Sequence, residues 1–401
     1  MKTISFHNTF SYPTEDGEGN PFNPKKIEIT GLEILLKSPK CTVDCLQFTN
    51  VGLQSCSTEA LFRGLSTNTS VNTLQCCTAC IFDEEVLGRI FSETTGLQSL
   101  RLSCALLNKP TFDGIRALRN NTSITTCVLT GLTKGCGGTL RDVLANNHKI
   151  RILKLDGNHH WQGHFHISGG MLENDDIQLI AAGLKSNHCL EDICLEDLNI
   201  DRDGLGYIAD AMCPREEHLD RTFSLVRLSI TSNVIVDTGL LPFARVMGMP
   251  GCRLQSFQCG YQLSSAHATG LISLMSALAE NKSLETLQIE ATRGANETIY
   301  LGYWSAVQSF ADCLFKIKFL RRLILDFGMD PELRFESSGF KTIWADLLKG
   351  SKANTSLEHL EFGREVYRSR TPREKSELLA WCESTAYAGL LLVLIFSPIL
   401  P

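Results

Sequence analysis

The sequence predicts an α/β solenoid of about eleven stacked strand–helix repeats. Three observations carry this expectation. A six-residue pattern, apolar-x-x-apolar-x-apolar, recurs along the chain. A segment with apolar residues spaced at three and four lies between successive copies. A polar turn of Asn, Ser and Thr closes each such segment just before the next copy.

The six-residue pattern begins at Val43 (VDCLQF) and returns at Val71, Leu97, Ile124, Ile150, Leu190, Leu225, Leu254, Leu284, Leu320 and Leu357. The first four steps are 28, 26, 27 and 26 residues, and the later ones 40, 35, 29, 30, 36 and 37. Alternation within the pattern predicts a strand whose first, fourth and sixth positions face the core. Its third, fifth and seventh positions then face outward. Segments such as EALFRGLSTNTS, DGIRALRNNTS, DDIQLIAAGLKSNHC and GLISLMSALAENKS predict the intervening helices.

A strand–helix unit of this size cannot bury its apolar face alone, so neighbours stack and share a continuous core. Strands sit ~4.8 Å apart and helices ~10 Å, so strands on one face and helices on the other predict an arc with the strands inside. The alternation resembles the leucine-rich repeats of the ribonuclease-inhibitor-like type, over roughly residues 43–362. The resemblance implies a horseshoe with parallel strands on its concave face and helices on its convex face. The family's Asn position, three residues after the third apolar, is filled by Asn only at Asn158 and Asn233.

The ends are expected to differ from the repeats. Residues 1–24, with Pro13, Pro21 and Pro24, read as irregular or disordered. Residues 25–42 read as an N-terminal cap, 43–370 as the repeat array, and 371–401 as a C-terminal cap with an apolar tail. Sequons at Asn68, Asn121, Asn281 and Asn354 fall in the helix-to-strand turn. There Asn is expected to serve as a left-handed or capping residue rather than a glycan acceptor.

Composition narrows the function. The 401 residues are 43% apolar and 20% charged with a net charge of −6, ordinary for a globular chain and unlike a nucleic-acid binder. The N-terminus lacks an apolar signal core, so the sixteen cysteines are expected to be free thiols in a reducing compartment. This points to the cytoplasm, with the nucleus as alternative.

Several motifs invite chemistry and fit the repeat phase instead. In NTLQCCTACIFDEE, Cys76 takes a core slot, Cys77 leaves the strand and Cys80 lies in the loop; no second ligand pair completes a zinc site. His159, His160, His164 and His166 crowd an insertion whose Trp161 and Phe165 suit protein contact better than metal. NIDRDGLGYIAD resembles a calcium loop but places Asp210 where a bidentate Glu belongs. GLTKGCGG lacks the ending of a phosphate loop. No catalytic residue, cofactor or metal is assigned, and the chain is not expected to be an enzyme.

The concave face is therefore the expected functional surface. Its charged residues are Arg101, Lys154, Asp156, Asp192, Glu196, Arg227, Glu290, Arg322, Asp326 and Glu361. A rigid polar concavity suits a non-catalytic scaffold that binds a protein partner. One alternative is a GTPase activator similar to the Ran activators, which also use this repeat type; the acidic tail that the resemblance implies is absent. Another is a tail-anchored membrane adaptor. The apolar tail Ala386–Pro401 is short against the ~20 residues a span requires, so a segment packed as a cap over the last coil is the favoured reading, and a membrane could be met only through this tail.

Overall fold

The computed structural model describes residues 2–7, 26–27, 29, 31–49, 51–53, 55–77, 83–103, 112–157, 172–213, 224–233, 235, 237–261, 269–291, 308, 311–326 and 354–362. It contains a strand at each of the eleven predicted positions. The chain divides into two compact units, Met1–Ile200 with Asp210–Met212, and Asp201–Ala209 with Cys213–Pro401. Each is an α/β leucine-rich-repeat solenoid segment, with helices alternating with parallel strands.

The first unit contains β1 (Thr3–His7), β3 (Cys45–Thr49), β5 (Thr73–Cys77), β6 (Ser99–Ser103), β7 (Thr126–Thr130), β8 (Ile152–Asp156) and β9 (Asp192–Glu196), parallel neighbours in that order. A short parallel pair, β2 (Lys26–Ile27) and β4 (Gly52–Leu53), stands apart. Its helices are α1 (Leu32–Lys37), α2 (Ser55–Leu65), α3 (Glu84–Glu93), α4 (Phe112–Arg116), α5 (Gly137–Asn146) and α6 (Asn174–Ser186), each packed on the next. The second unit contains β10 (Arg227–Ile230), β11 (Ser256–Tyr261), β12 (Thr286–Ala291), β13 (Arg322–Asp326) and β14 (His359–Phe362). Its helices include most of α7 (Arg202–Met212), with α8 (Leu241–Met247) and α9 (Thr269–Glu280).

Strand alternation builds the core as the phase predicts. Leu46, Leu74, Leu100, Cys127, Leu153 and Ile193 stand in register across six strands and are all buried. Each large aliphatic side chain buried this way stabilises the fold by roughly 1.5–3 kcal/mol. Phe243 stacks on Phe257 in the second unit, with centroids 5.1 Å apart.

The N-terminus departs from expectation. Thr3–His7 is not irregular but a strand, paired in parallel with Cys45–Thr49. TISFH alternates polar and apolar residues, and the ring of Phe6 stacks on Phe48 at 5.0 Å. The Lys2 N–H donates to Asp44 Oδ2, and the Asp44 N–H donates back to the Lys2 carbonyl, which fixes the register. Five residues suffice because the partner strand is already built.

The turn asparagines take the capping role of the two expected for them, not the left-handed one. Asn121, Asn147 and Asn187 have φ of −69°, −83° and −88°, extended rather than left-handed. Each lies three residues before the first apolar strand position and is buried. Asn121 accepts at Oδ1 from the N–H groups of Ser123 (2.9 Å) and Ile124 (2.6 Å). Its Nδ2 donates to the Phe91 carbonyl of the preceding repeat (2.6 Å). Asn147 then donates to the carbonyls of Leu118 and Asn121, and Asn187 to those of Leu144 and Asn147. Asn68, Asn281 and Asn354 repeat the arrangement. This ladder satisfies carbonyls left open at helix ends and ties each repeat to the one before it. An amide used in this way is closed to a glycan in the folded chain. At the family's usual Asn position, Asn233 is buried and donates to the Thr231 carbonyl (2.9 Å), whereas Asn158 lies outside the described residues.

Candidate strand-face site

The outward side chains of the first unit form three rows. The fifth-position row is Gln47, Gln75, Arg101, Val128, Lys154 and Cys194, each opposite the next on a neighbouring strand. Such a row repeats at the strand spacing of ~4.8 Å. Arg101 is exposed within it, and Lys154 is partly covered.

Lys154 and Glu196 are brought together: Nζ donates to Oε2 at 2.6 Å across β8 and β9. Burial pulls the Lys154 ammonium down, but the bond to Glu196, with Cys194 and Asp156 close by, outweighs it and raises the pKa. Asp156 stands directly opposite Glu196 in the register. It is only 5% exposed, so its carboxylate is not offered to solvent as the phase suggested. Cys45, at an outward third position, is buried as well, because β1 lies alongside β3. Asp192 keeps its outward third position.

In the second unit the third-position row is Arg227, Ser256, Thr286, Arg322 and His359. Glu290 and Asp326 stand opposite one another in the seventh-position row. Cations therefore lie toward the start of these strands and carboxylates toward the end. The side-chain amides of Gln258 and Gln288 both donate to Glu290 Oε1, which fixes its orientation. Glu361 stands opposite Ile324, itself buried despite its outward position. Trp161, Phe165 and the histidine cluster lie outside the described residues, as do Cys80 and the 371–401 segment.

The motifs that invited chemistry have structural uses. Burial pushes the Cys77 thiol up, against the opposing pull of Arg101, so it stays protonated near neutral pH. Burial raises Cys136 and Cys127 to about 12. Alkylation of the native chain at pH 8 should therefore label the exposed Cys56 well before Cys76, Cys127, Cys136 or Cys259, as read by peptide mass spectrometry. Equal labelling of all five would show that these core slots are open. In the calcium-like stretch, Asp201 Oδ1 accepts from the N–H groups of Asp203 and Gly204 at 3.0 Å and caps the helix Arg202–Met212.

The glycine-rich segment before α5 does hold an anion, but the chain supplies it. Asp176, buried in α6, accepts from the N–H groups of Gly135, Gly137 and Glu173. Gly135 has φ of 91°, a conformation glycine adopts freely. A Cβ on Gly137 would lie 2.5 Å from Asp176 Cα. The carboxylate thus occupies the helix N-terminus where a phosphate would sit. Among the described residues, no group of three or more His, Cys, Asp or Glu could hold a metal ion.

Comparison with known proteins agrees at the level of the repeat. Over 207 residues, 51% of the chain, the sequence is 28% identical to human NACHT, LRR and PYD domains-containing protein 5. The match spans 15% of that protein's length, and LRR in its name denotes leucine-rich repeats. No family model matches the chain.

Proposed function

We propose that this leucine-rich-repeat chain is a non-catalytic scaffold that binds a protein partner across the strand face, with repeats of the ribonuclease-inhibitor-like type. The carrying observation is the set of outward rows. Rigid strands present Gln75, Arg101, Val128 and Lys154 in register, a surface shaped for an extended contact rather than for a reacting atom. The spacing of 26–28 residues in the first repeats and the strand-then-helix order support the repeat type. The cytoplasm is the proposed location, since several of the described cysteines serve as buried core side chains in place of aliphatic ones.

Charge reversal tests the reading. In the first unit, Arg101→Glu with Lys154→Glu should weaken capture of the native partner at least tenfold, as measured by quantitative pull-down from the source cell. In the second unit, Arg227→Glu with Arg322→Glu is the parallel test. Retention of every stoichiometric partner by both variants, with folding intact by circular dichroism, would overturn the strand-face assignment.

A further inference from the structure

The turn before β13 breaks the ladder pattern in its own way. Ile317 stands at the ladder position, and two residues on Phe319 replaces the serine of the neighbouring turns, Ser283 and Ser356. Those serines bond within their turns, Ser283 Oγ to Asn281 Oδ1 (3.4 Å) and Ser356 Oγ to Asn354 Oδ1 (2.9 Å). Ile317 is buried and fills a core slot. Phe319 is 44% exposed and Phe315 52% exposed. Two exposed rings in one turn demand a reason that core packing does not supply.

Cations flank the rings in sequence. Lys316, Lys318, Arg321 and Arg322 are all exposed, and the stretch Phe315–Arg322 holds no carboxylate, in a chain of net charge −6. Arg321 lies 3.7 Å from Glu358, an exposed pair. Among the described residues, Lys316, Lys318 and Arg322 join no ion pair. The Lys316 ammonium lies 5.5 Å from the Phe315 ring centroid.

We propose that this turn docks on a membrane surface carrying anionic lipid headgroups, with Phe315 and Phe319 entering the interface and Lys316 and Lys318 meeting the headgroups. Exposed rings interleaved with cations in one turn match interfacial chemistry, and Lys stems let the ammonium reach outward while the rings sink. A nucleic-acid track would need cations continuing along successive turns. Here the neighbouring repeats place Glu285 and Glu358 at the level of Arg321, so carboxylates interrupt the basic row on either side, and only Lys282 continues it, at the level of Lys318.

The test is flotation of the full chain with vesicles of 70% phosphatidylcholine and 30% phosphatidylserine, against pure phosphatidylcholine. The wild-type chain should float with the anionic vesicles and less so at high salt. Lys316→Gln with Lys318→Gln should weaken this about thirtyfold. Phe315→Ser with Phe319→Ser should weaken it as well, although it leaves every cation in place. A Phe319→Trp variant adds a direct readout, quenching by brominated phosphatidylcholine in mixed anionic vesicles beyond that of the wild-type chain. Equal flotation of both double variants and the wild type would overturn the proposal, as would the absence of flotation by the wild-type chain. Capture by an immobilised polyglutamate peptide without flotation would assign the turn to an acidic protein instead.

Discussion

Asn121→Ala should lower the stability of the first unit by about 3–5 kcal/mol, since it strands the Ser123 and Ile124 N–H groups and the Phe91 carbonyl in a buried turn. Asn121 is 3% exposed, so water cannot replace the lost partners. Its own carbonyl also accepts from Asn147, so a shift of the turn propagates to the next repeat. Urea unfolding followed by circular dichroism measures this. The exposed Asn146, which bonds only the Asp142 carbonyl of its own helix, is the control; its Ala variant should stay within about 0.5 kcal/mol of wild type. Equal midpoints for Asn121→Ala and Asn146→Ala would mean that the ladder carries no stability.

The second large effect is at Asp176. Asp176→Ala removes a carboxylate that receives three N–H groups at the start of α5 and α6, and should cost about 3–5 kcal/mol. Asp176→Asn keeps the shape and one acceptor oxygen but loses the charge, so its loss should be roughly half as large. Gly137→Ala attacks the same junction sterically, because its Cβ meets the Asp176 backbone rather than a movable side-chain end. Chemical denaturation of the three variants checks the order. A stable Gly137→Ala chain would show that α5 and α6 are not held at the observed approach.

The strands were legible in the sequence because their signal is local and repeated: three core positions at fixed spacing, restated eleven times. Thr3–His7 was not, because a single strand borrows its stability from a partner some forty residues away, and Pro13, Pro21 and Pro24 nearby suggested irregular chain. The asparagines were visible as a recurring residue in a recurring turn. What they bind was not, since the carbonyls they reach, such as Leu118 for Asn147, lie in the preceding repeat. The phase placed Lys154 and Glu196 on one face, at the fifth position of one strand and the seventh of the next, and the structure joins them. It did not foresee that Asp156 and Cys45 would be covered, because period-two alternation says which way a side chain points and nothing of what lies above it. Gly135 and Gly137 read as a loop in search of an anion, and only the packing of α6 on α5 shows that Asp176 fills the place.

The central claim is that the strand face, not the helix face, carries the partner. Site-specific photocrosslinking tests it most directly, with benzoylphenylalanine placed in turn at Gln75 and Val128 on the strand face and at the exposed Arg141 on α5. In the native cell, one protein adduct of the same mass should form from Gln75 and Val128, and none from Arg141. An adduct from Arg141 with none from the two strand positions would contradict the account.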